Sequence, residues 1–240
     1  MTTLGLVKPR GRSRDEAEKP FWISYADLMT ALMVLFLVVM SVALLAVTKT
    51  VTQQEREERQ HREAVEEFLD QIERATGKFT GVRVDRDRRV IDFQDRARFE
   101  KNVYRLSAEQ GALLREFVSE LLQIASSDLG RRILKRVVVE GFADQSGTYL
   151  YNLDLSLRRS QAVLCALYAP PLGDEIALTD AQLAEIRDLF VVGGYSFNDA
   201  RLTAEESRRV ELRLELYAVG EDRVSAPTVP AGNFGVCALR

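Results

Sequence analysis

Residues 21–47 read FWISYADLMTALMVLFLVVMSVALLAV, and this apolar run decides how the chain is organised. At about 1.5 Å of rise per residue, a helix of this length reaches roughly 40 Å, which exceeds the apolar thickness of a bilayer. The run therefore predicts a single transmembrane helix. It contains one carboxylate, Asp27, in its N-terminal third.

Two interpretations of Asp27 are open. Residues 28–47 alone are long enough to span a bilayer, so Asp27 would then be an ordinary acidic residue at a helix start, where the helix dipole favours negative charge. Against this, Phe21, Trp22 and Tyr25 are of the type that marks the membrane interface, which would place Asp27 deeper. Carboxylates within the bilayer are costly and commonly serve ion transfer. The pattern therefore favours an ion-handling role for Asp27.

The segment before the span predicts its orientation. Residues 1–20 carry five basic side chains and three residues that disfavour regular structure: Lys8, Arg10, Arg12, Arg14 and Lys19, with Pro9, Gly11 and Pro20. Basic residues beside a span stay in the cytoplasm. We expect a cytoplasmic tail, an uncleaved span in the bacterial inner membrane and a periplasmic C-terminal part. A cleavable signal peptide is the alternative, but its apolar region would be much shorter.

Residues 48–78 are predicted to form a helical connector. Residues 52–63, TQQEREERQHRE, contain no apolar side chain. Acidic residues precede basic ones by four positions, a spacing that stabilises a solvent-exposed helix. A narrow apolar stripe then follows at helical spacing: Val65, Phe68, Leu69 and Ile72. We expect this stripe to pair with a second copy of the chain, which would make the protein a dimer.

Residues 79–219 are predicted to fold as an α+β sandwich, followed by a tail at 220–240. Strand-like runs occur at 82–84, 90–93, 137–139, 191–195 and 210–217, the last alternating apolar and charged residues as a half-exposed strand does. Helices are predicted after Ser107, over 154–168 and after Thr179, with capping-box spacing to Gln110 and Gln182. No Gly-rich phosphate loop interrupts this alternation.

Composition excludes several functions. A net charge of −3 gives no general reason to expect a nucleic-acid partner. His61 is the one histidine, so no Ser–His–Asp or Cys–His set can be assembled, and no residues have metal-ligand spacing. We therefore expect neither an enzyme nor a cofactor. Cys165 and Cys237 both fall in the periplasmic part, where oxidation is permitted. An intramolecular disulfide is narrowly favoured; the alternatives are that Cys165 is only a small core residue or that the bridge joins two chains.

Residues 139–163, VEGFADQSGTYLYNLDLSLRRSQAV, resemble the peptidoglycan-binding signature of OmpA-like domains. A second signature run is similar to residues 207–211, SRRVE. The resemblance implies that residues 79–219 adopt the OmpA-like fold and bind peptidoglycan. Its candidate binding residues are Asp144, Tyr151, Asn152, Leu155, Arg159 and Arg208.

The resemblance also implies a role for each side chain. Asp144 would pair with the ammonium group of a diaminopimelate residue in the peptidoglycan stem, and Arg159 would hold its carboxylate. Asn152 would add amide hydrogen bonds, while Tyr151 and Leu155 would shape the pocket. Two positions depart from the family pattern: Ala143 replaces a Thr, and Ser207 replaces an Asn. We expect these departures to weaken binding.

The span, with Asp27 in the context YADLMTALMVLF, resembles the B subunits of MotA–MotB-type ion-driven stators. With its charged connector, it is most similar to the stator-like B subunits of Zorya anti-phage defence systems. The resemblance implies two B subunits inside a ring of five A subunits, with Asp27 as the proton carrier. Thr30 and Ser41 would add polar contacts or bond back to their own helix. A flagellar stator, a passive tether between membrane and wall, and an energiser of outer-membrane transport are the competing functions.

Overall fold

The computed structural model describes residues 15–171, 176–221 and 234–237. It separates into two compact units, Met1–Glu58 and Arg59–Arg240. Most of the predicted N-terminal tail and most of the C-terminal tail lie outside the described residues.

The predicted span is part of one long helix, α1, which runs from Asp15 to Thr76. By length and composition it is apolar enough to cross a membrane, with a mean hydropathy of 2.8 in its most apolar window. The expectation that Pro20 prevents regular structure is wrong, because α1 begins at Asp15 and includes Pro20. A proline near a helix start removes only one backbone donor, and the long apolar run behind it maintains the helix.

The outer unit contains a five-stranded sheet in the order β1-β2-β5-β3-β4. Its strands are β1 (Arg83–Asp85), β2 (Val90–Asp92), β3 (Leu134–Gly141), β4 (Phe190–Gly194) and β5 (Val210–Leu216). β3 pairs in parallel with β4 and antiparallel with β5, and β2 pairs antiparallel with both β1 and β5. The predicted strands are all present, within one to three residues at their ends, and the largest difference is at the start of β3, which begins at Leu134 rather than at residue 137.

The helices of this unit begin at polar caps. They are α2 (Ala108–Ala125), α3 (Asp128–Ile133), α4 (Tyr149–Tyr168), α5 (Asp180–Leu189) and α6 (Ala204–Ser207), with a 3₁₀ turn at Gln94–Ala97. Capping boxes form at Ser107 with Gln110 and at Thr179 with Gln182, as predicted. The sequence prediction started α4 five residues late because Thr148, not a residue near Asp154, provides its N-terminal cap.

The apolar stripe of the connector packs into the outer unit itself. Val65, Phe68, Leu69 and Ile72 are at most 9% exposed, and they belong to the same hydrophobic core as the helices and the sheet. The expectation that this stripe pairs with a second copy is therefore wrong. A narrow apolar helix face can be buried against any apolar surface. Its spacing therefore does not distinguish packing within one chain from packing against a second copy.

A buried polar layer lies on the sheet. Glu140 of β3 and Glu211 of β5 are both fully buried and face each other across the strand pair. Arg213 forms two hydrogen bonds with Glu140, at 2.6 and 2.9 Å, while Arg209 Nε donates to Glu211 at 2.6 Å. The expectation of a half-exposed β5 fails at Glu211, because arginine partners allow this acid to be buried.

Candidate functional site

Two glycines let helix α4 lie directly on the sheet. A Cβ on Gly141, at the end of β3, would stand 1.9 Å from the carbonyl oxygen of Ser156. A Cβ on Gly194, at the end of β4, would stand 2.8 Å from the backbone nitrogen of Leu157. Only glycine permits this approach. The predicted site residues on α4 are thereby placed beside the end of β3.

Asp144 follows β3 and is only 6% exposed. Its Oδ1 accepts hydrogen bonds from the backbone N–H of Ser146, at 2.9 Å, and from the Ser146 hydroxyl. Its Oδ2 accepts from Arg208 Nη1 at 3.1 Å. Burial alone would raise the pKa of Asp144, but the bonds from Ser146 and Arg208 outweigh it and hold the pKa below its ordinary value. The site therefore presents an ionised carboxylate at neutral pH.

The turn between Asp144 and α4 places Asn152 under the site. Gly147 has φ +104°, a left-handed conformation that favours glycine. Thr148 then caps α4 by accepting from the backbone N–H of Tyr151 at 3.4 Å. Asn152 is 1% exposed, and its side-chain amide donates to the carbonyl of Ser146 at 3.0 Å. Asn152 thus fixes the turn that positions Asp144.

Arg159 is fully buried beneath the site. Its Nε donates to the carbonyl of Val103 at 2.9 Å, Nη1 to that of Phe142 at 2.7 Å, and Nη2 to that of Glu100 at 3.1 Å. Burial lowers the pKa of Arg159 to about 10. All three guanidinium nitrogens are therefore used to join the end of β3 to the 100–103 loop.

Arg208 lies closer to solvent, with its side chain 17% exposed. Its Nε donates to the carbonyl of Phe99 at 2.9 Å, and its Nη1 reaches Asp144. The other two predicted residues differ in position: Leu155 is buried, whereas Tyr151 is 48% exposed. The structure thus brings Asp144 and Arg208 into direct contact and leaves Tyr151 at the surface.

Sequence reasoning missed the residues that support this arrangement. Ser196 is buried and has φ +55°. Its backbone carbonyl accepts a hydrogen bond from the backbone N–H of Ala143 at 2.8 Å. Its hydroxyl donates to the carbonyl of Tyr149 at 3.1 Å. Ser146 was missed as the donor to Asp144. An Asp two residues before a Ser is a turn signal that would have identified Ser146, while nothing local indicated Ser196.

The two departures from the signature have local roles. Ala143 is 1% exposed and holds the strand end through its backbone. Ser207 is buried, and its hydroxyl donates to the carbonyl of Thr203 at 2.8 Å and accepts from the backbone N–H of Arg201 at 2.9 Å. Whether these replacements weaken binding stays a prediction.

Cys165 and Cys237 form an intramolecular disulfide, with their Cα atoms 5.4 Å apart. Next to it, the ring of Phe234 lies 5.1 Å from that of Tyr168. The bridge joins α4, which carries part of the site, to the described part of the C-terminal segment.

In the span, Asp27 is exposed in the isolated chain. Thr30 donates to the carbonyl of Ala26, and Ser41 donates to that of Leu37 at 2.7 Å. Both hydroxyls therefore bond back to their own helix, which was one of the two predicted alternatives.

Comparison with known proteins gives the family. The family model of the membrane MotB of the proton-channel complex MotA/MotB matches residues 8–64, and the OmpA family matches residues 98–172. The Zorya protein ZorB of Escherichia coli O139:H28 is 41% identical over 232 residues, which cover 95% of this chain and 94% of that protein. The chain belongs to the ZorB family. As a ZorB-family protein, it is a MotB-like stator B subunit of the peptidoglycan-binding kind, in the inner membrane with a periplasmic domain.

Solved structures with a similar outer domain are more distant. The cell wall anchor of the type VI secretion system from Pseudomonas aeruginosa is 20% identical, with a TM-score of 0.42, and the match covers 61% of this chain and 95% of that one. A putative MotB-like protein from Desulfovibrio vulgaris is 17% identical, with a TM-score of 0.44, covering 67% and 99%.

Proposed function

We propose that this ZorB-family chain is the B subunit of a proton-driven rotary stator that acts in anti-phage defence. Its N-terminus lies in the cytoplasm, and residues 21–47 cross the inner membrane. Two copies sit inside a ring of five A subunits. The observation that carries the proposal is Asp27, the single carboxylate of the apolar run 21–47, in a chain that is 41% identical to ZorB.

Asp27 is suited to loading and unloading a proton. An apolar environment favours the neutral form of a carboxyl group, and an aqueous or cationic environment favours the ionised form. A ring of A subunits that alternates these environments around Asp27 would couple proton transfer to rotation. The free chain leaves Asp27 exposed, so the A subunits would supply its surroundings.

The outer domain holds the stator against the wall. We infer that Asp144 receives an ammonium group of the peptidoglycan stem peptide and that Arg159 holds its carboxylate, with Arg208 beside Asp144. Asn152 maintains the turn, and Tyr151 and Leu155 border the approach. The low pKa of Asp144 keeps it charged for this purpose at neutral pH.

The experiment that tests proton transfer measures cytoplasmic acidification in cells that express this chain with its A subunit. Asp27→Asn should abolish proton entry, because an amide does not titrate, while Asp27→Glu should retain part of it. Thr30→Val is a matched control on the same helix, since the Thr30 hydroxyl bonds back to main-chain carbonyls of that helix, those of Ala26 and Asp27. Equal proton entry with wild type and Asp27→Asn would refute the proton-carrying role and leave a passive tether.

A flagellar stator is the second candidate, because residues 8–64 match the MotB membrane family. The two functions are distinguished by cell context. Complementation of a non-motile strain that lacks its B subunit would favour the flagellar function, whereas protection against phage without restored motility would favour defence.

A further inference from the structure

Three leucines in the first half of helix α4 form an apolar stripe that reaches solvent. Leu150 and Leu157 are 73% and 37% exposed, and Leu153 is partly buried. They recur at intervals of three and four residues, so all three lie on one side of the helix, called here the leucine face. A contiguous apolar patch of this kind marks a contact surface, whereas single exposed leucines do not.

The leucine face lies at the outer edge of the domain. Helix α2 packs on the other side of α4, where a Cβ on Gly111 would stand 3.8 Å from the Cβ of Ala166. Ala166 is two and a half turns from Leu157, so the two side chains point in opposite directions. The backbone of Leu157 stands over Gly194, at the end of β4, which is the last strand in the sheet order. No further strand of the described chain lies beyond the leucine face.

The second half of the same side of α4 is covered by the chain itself. The stripe continues through Leu164 to Tyr168, where the ring of Phe234 lies 5.1 Å from that of Tyr168. The disulfide between Cys165 and Cys237 joins the C-terminal segment to α4 at this point. The described residues therefore cover the second half of the stripe and leave the leucine face bare.

The leucine face is suited to a second copy of the same helix. Leucines at intervals of three and four are the spacing of a seam between two helices. On its flank, Arg158 pairs with Asp154 at 2.8 Å, so two copies would bring together no net charge. A twofold axis parallel to α4 would also place both Asp144 sites at the same end of the pair. Two domains that hold one cell wall need this arrangement.

The size of the leucine face indicates which second copy would fill it. Three leucines provide much less than the roughly 800 Å² per partner that a free-standing complex buries. Two separate chains would therefore not associate stably through this surface. Two chains whose spans are held in one stator have a high effective concentration, at which a small contact is sufficient.

We propose that the leucine face is the contact between the outer domains of the two B subunits of one stator, with their α4 helices parallel. The contact lies on α4 and not on the stripe of α1, which is buried within each chain. It sets the distance between the two wall-binding sites and prevents the domains from turning independently. This assignment rests on the proposed stator with two copies.

The test uses the full chain, co-expressed with its A subunit, in isolated membranes. Both native cysteines form a disulfide, so Leu157→Cys gives this chain a single free thiol. On oxidation, we expect a disulfide-linked dimer on a non-reducing gel, at least about tenfold more abundant than for Glu116→Cys, because tethering favours only thiols that face each other. Glu116→Cys is the matched control, since Glu116 is exposed on α2. Adding Leu153→Glu should reduce the dimer to the control level, because it places like charges opposite each other.

Maleimide labelling and copurification make each outcome decisive. If the Leu157→Cys thiol reacts with maleimide but forms no more dimer than Glu116→Cys, the assignment is overturned. A thiol that reacts with neither reagent would also overturn it, because the chain's own residues would then cover the leucine face. If two differently tagged copies copurify with the A subunit while the cross-link is absent, the two-copy stator stands and the assignment falls. If the tagged copies do not copurify, both fail.

Discussion

Replacing Phe68 with alanine should strongly destabilise the outer unit. Phe68 lies on the stripe of α1 and is fully buried in the core that contains the sheet and α2. Truncating a buried Phe costs about 3–5 kcal/mol through lost burial and the cavity left behind. In a unit of this size, that corresponds to a fall in melting temperature of roughly 6–20 °C.

The assay is thermal and guanidinium unfolding of the unit Arg59–Arg240, whose core includes no residue before Ala64. Glu67→Ala is the matched control, because Glu67 is the exposed neighbour of Phe68 and should change stability by no more than about 0.5 kcal/mol. The melting temperature should not depend on protein concentration, because the stripe is buried within one chain.

A different result would refute this reasoning. If Phe68 belonged to a seam between two copies, the melting temperature of the wild type would rise with concentration. Phe68→Ala would then dissociate the dimer and leave the folded monomer about as stable as before. Either observation would indicate that the stripe forms a dimer interface, as its spacing first suggested.

Three other predictions address the outer domain. Arg213→Ala should lower the free energy of unfolding, measured by urea titration, by about 2–3 kcal/mol, because it leaves the fully buried Glu140 without its guanidinium partner; the partial exposure of Arg213 limits this loss. Arg136→Ala, which breaks a surface ion pair, should lower it by less than about 1 kcal/mol in the same measurement. Reducing the disulfide, which joins residues 72 positions apart, should destabilise the domain by up to about 4 kcal/mol, measured as a melting temperature with and without reductant. Asp144→Asn should lower stability at pH 7, and its difference from wild type should shrink as the pH falls below about 4, because a carboxylate with a depressed folded-state pKa stabilises only while it is ionised.

Each of these predictions has a result that contradicts it. An equal decrease in the free energy of unfolding for Arg213→Ala and Arg136→Ala would mean that Glu140 is adequately solvated or hydrogen-bonded without Arg213. A wild type that is insensitive to reductant, and identical to a Cys165→Ser and Cys237→Ser double variant, would show that the bridge does not contribute. A pH-independent penalty for Asp144→Asn would assign its effect to shape rather than charge.

Much of the fold follows from local sequence signals. The capping boxes at Ser107 and Thr179 fix the starts of two helices, because a polar side chain there satisfies backbone donors that have no other partner. The run of valines in β3 indicates a strand with both faces covered. The start of α4 was missed because Thr148 acts as a cap only after Gly147 turns the chain.

The candidate site was only partly predictable. The signature placed Asp144 and Arg159 near each other, but it did not show that the Arg159 guanidinium donates hydrogen bonds to three backbone carbonyls. Burial and partner choice depend on contacts between distant segments, such as Arg159 with the 100–103 loop. The same limit explains Glu211, whose charge suggested exposure but whose partners include Arg88, a residue 123 positions away that donates to it at 3.5 Å.

The most direct test of the whole account is the plating efficiency of phage on cells that carry the intact operon with wild-type Asp27 or with Asp27→Asn. Membrane level and binding to isolated cell walls must be equal for the two. The account predicts that wild type lowers plating and that Asp27→Asn restores it, because a stator whose carboxyl group does not titrate has no proton drive. Undiminished protection by Asp27→Asn would contradict the account and leave this protein as a passive tether between membrane and wall.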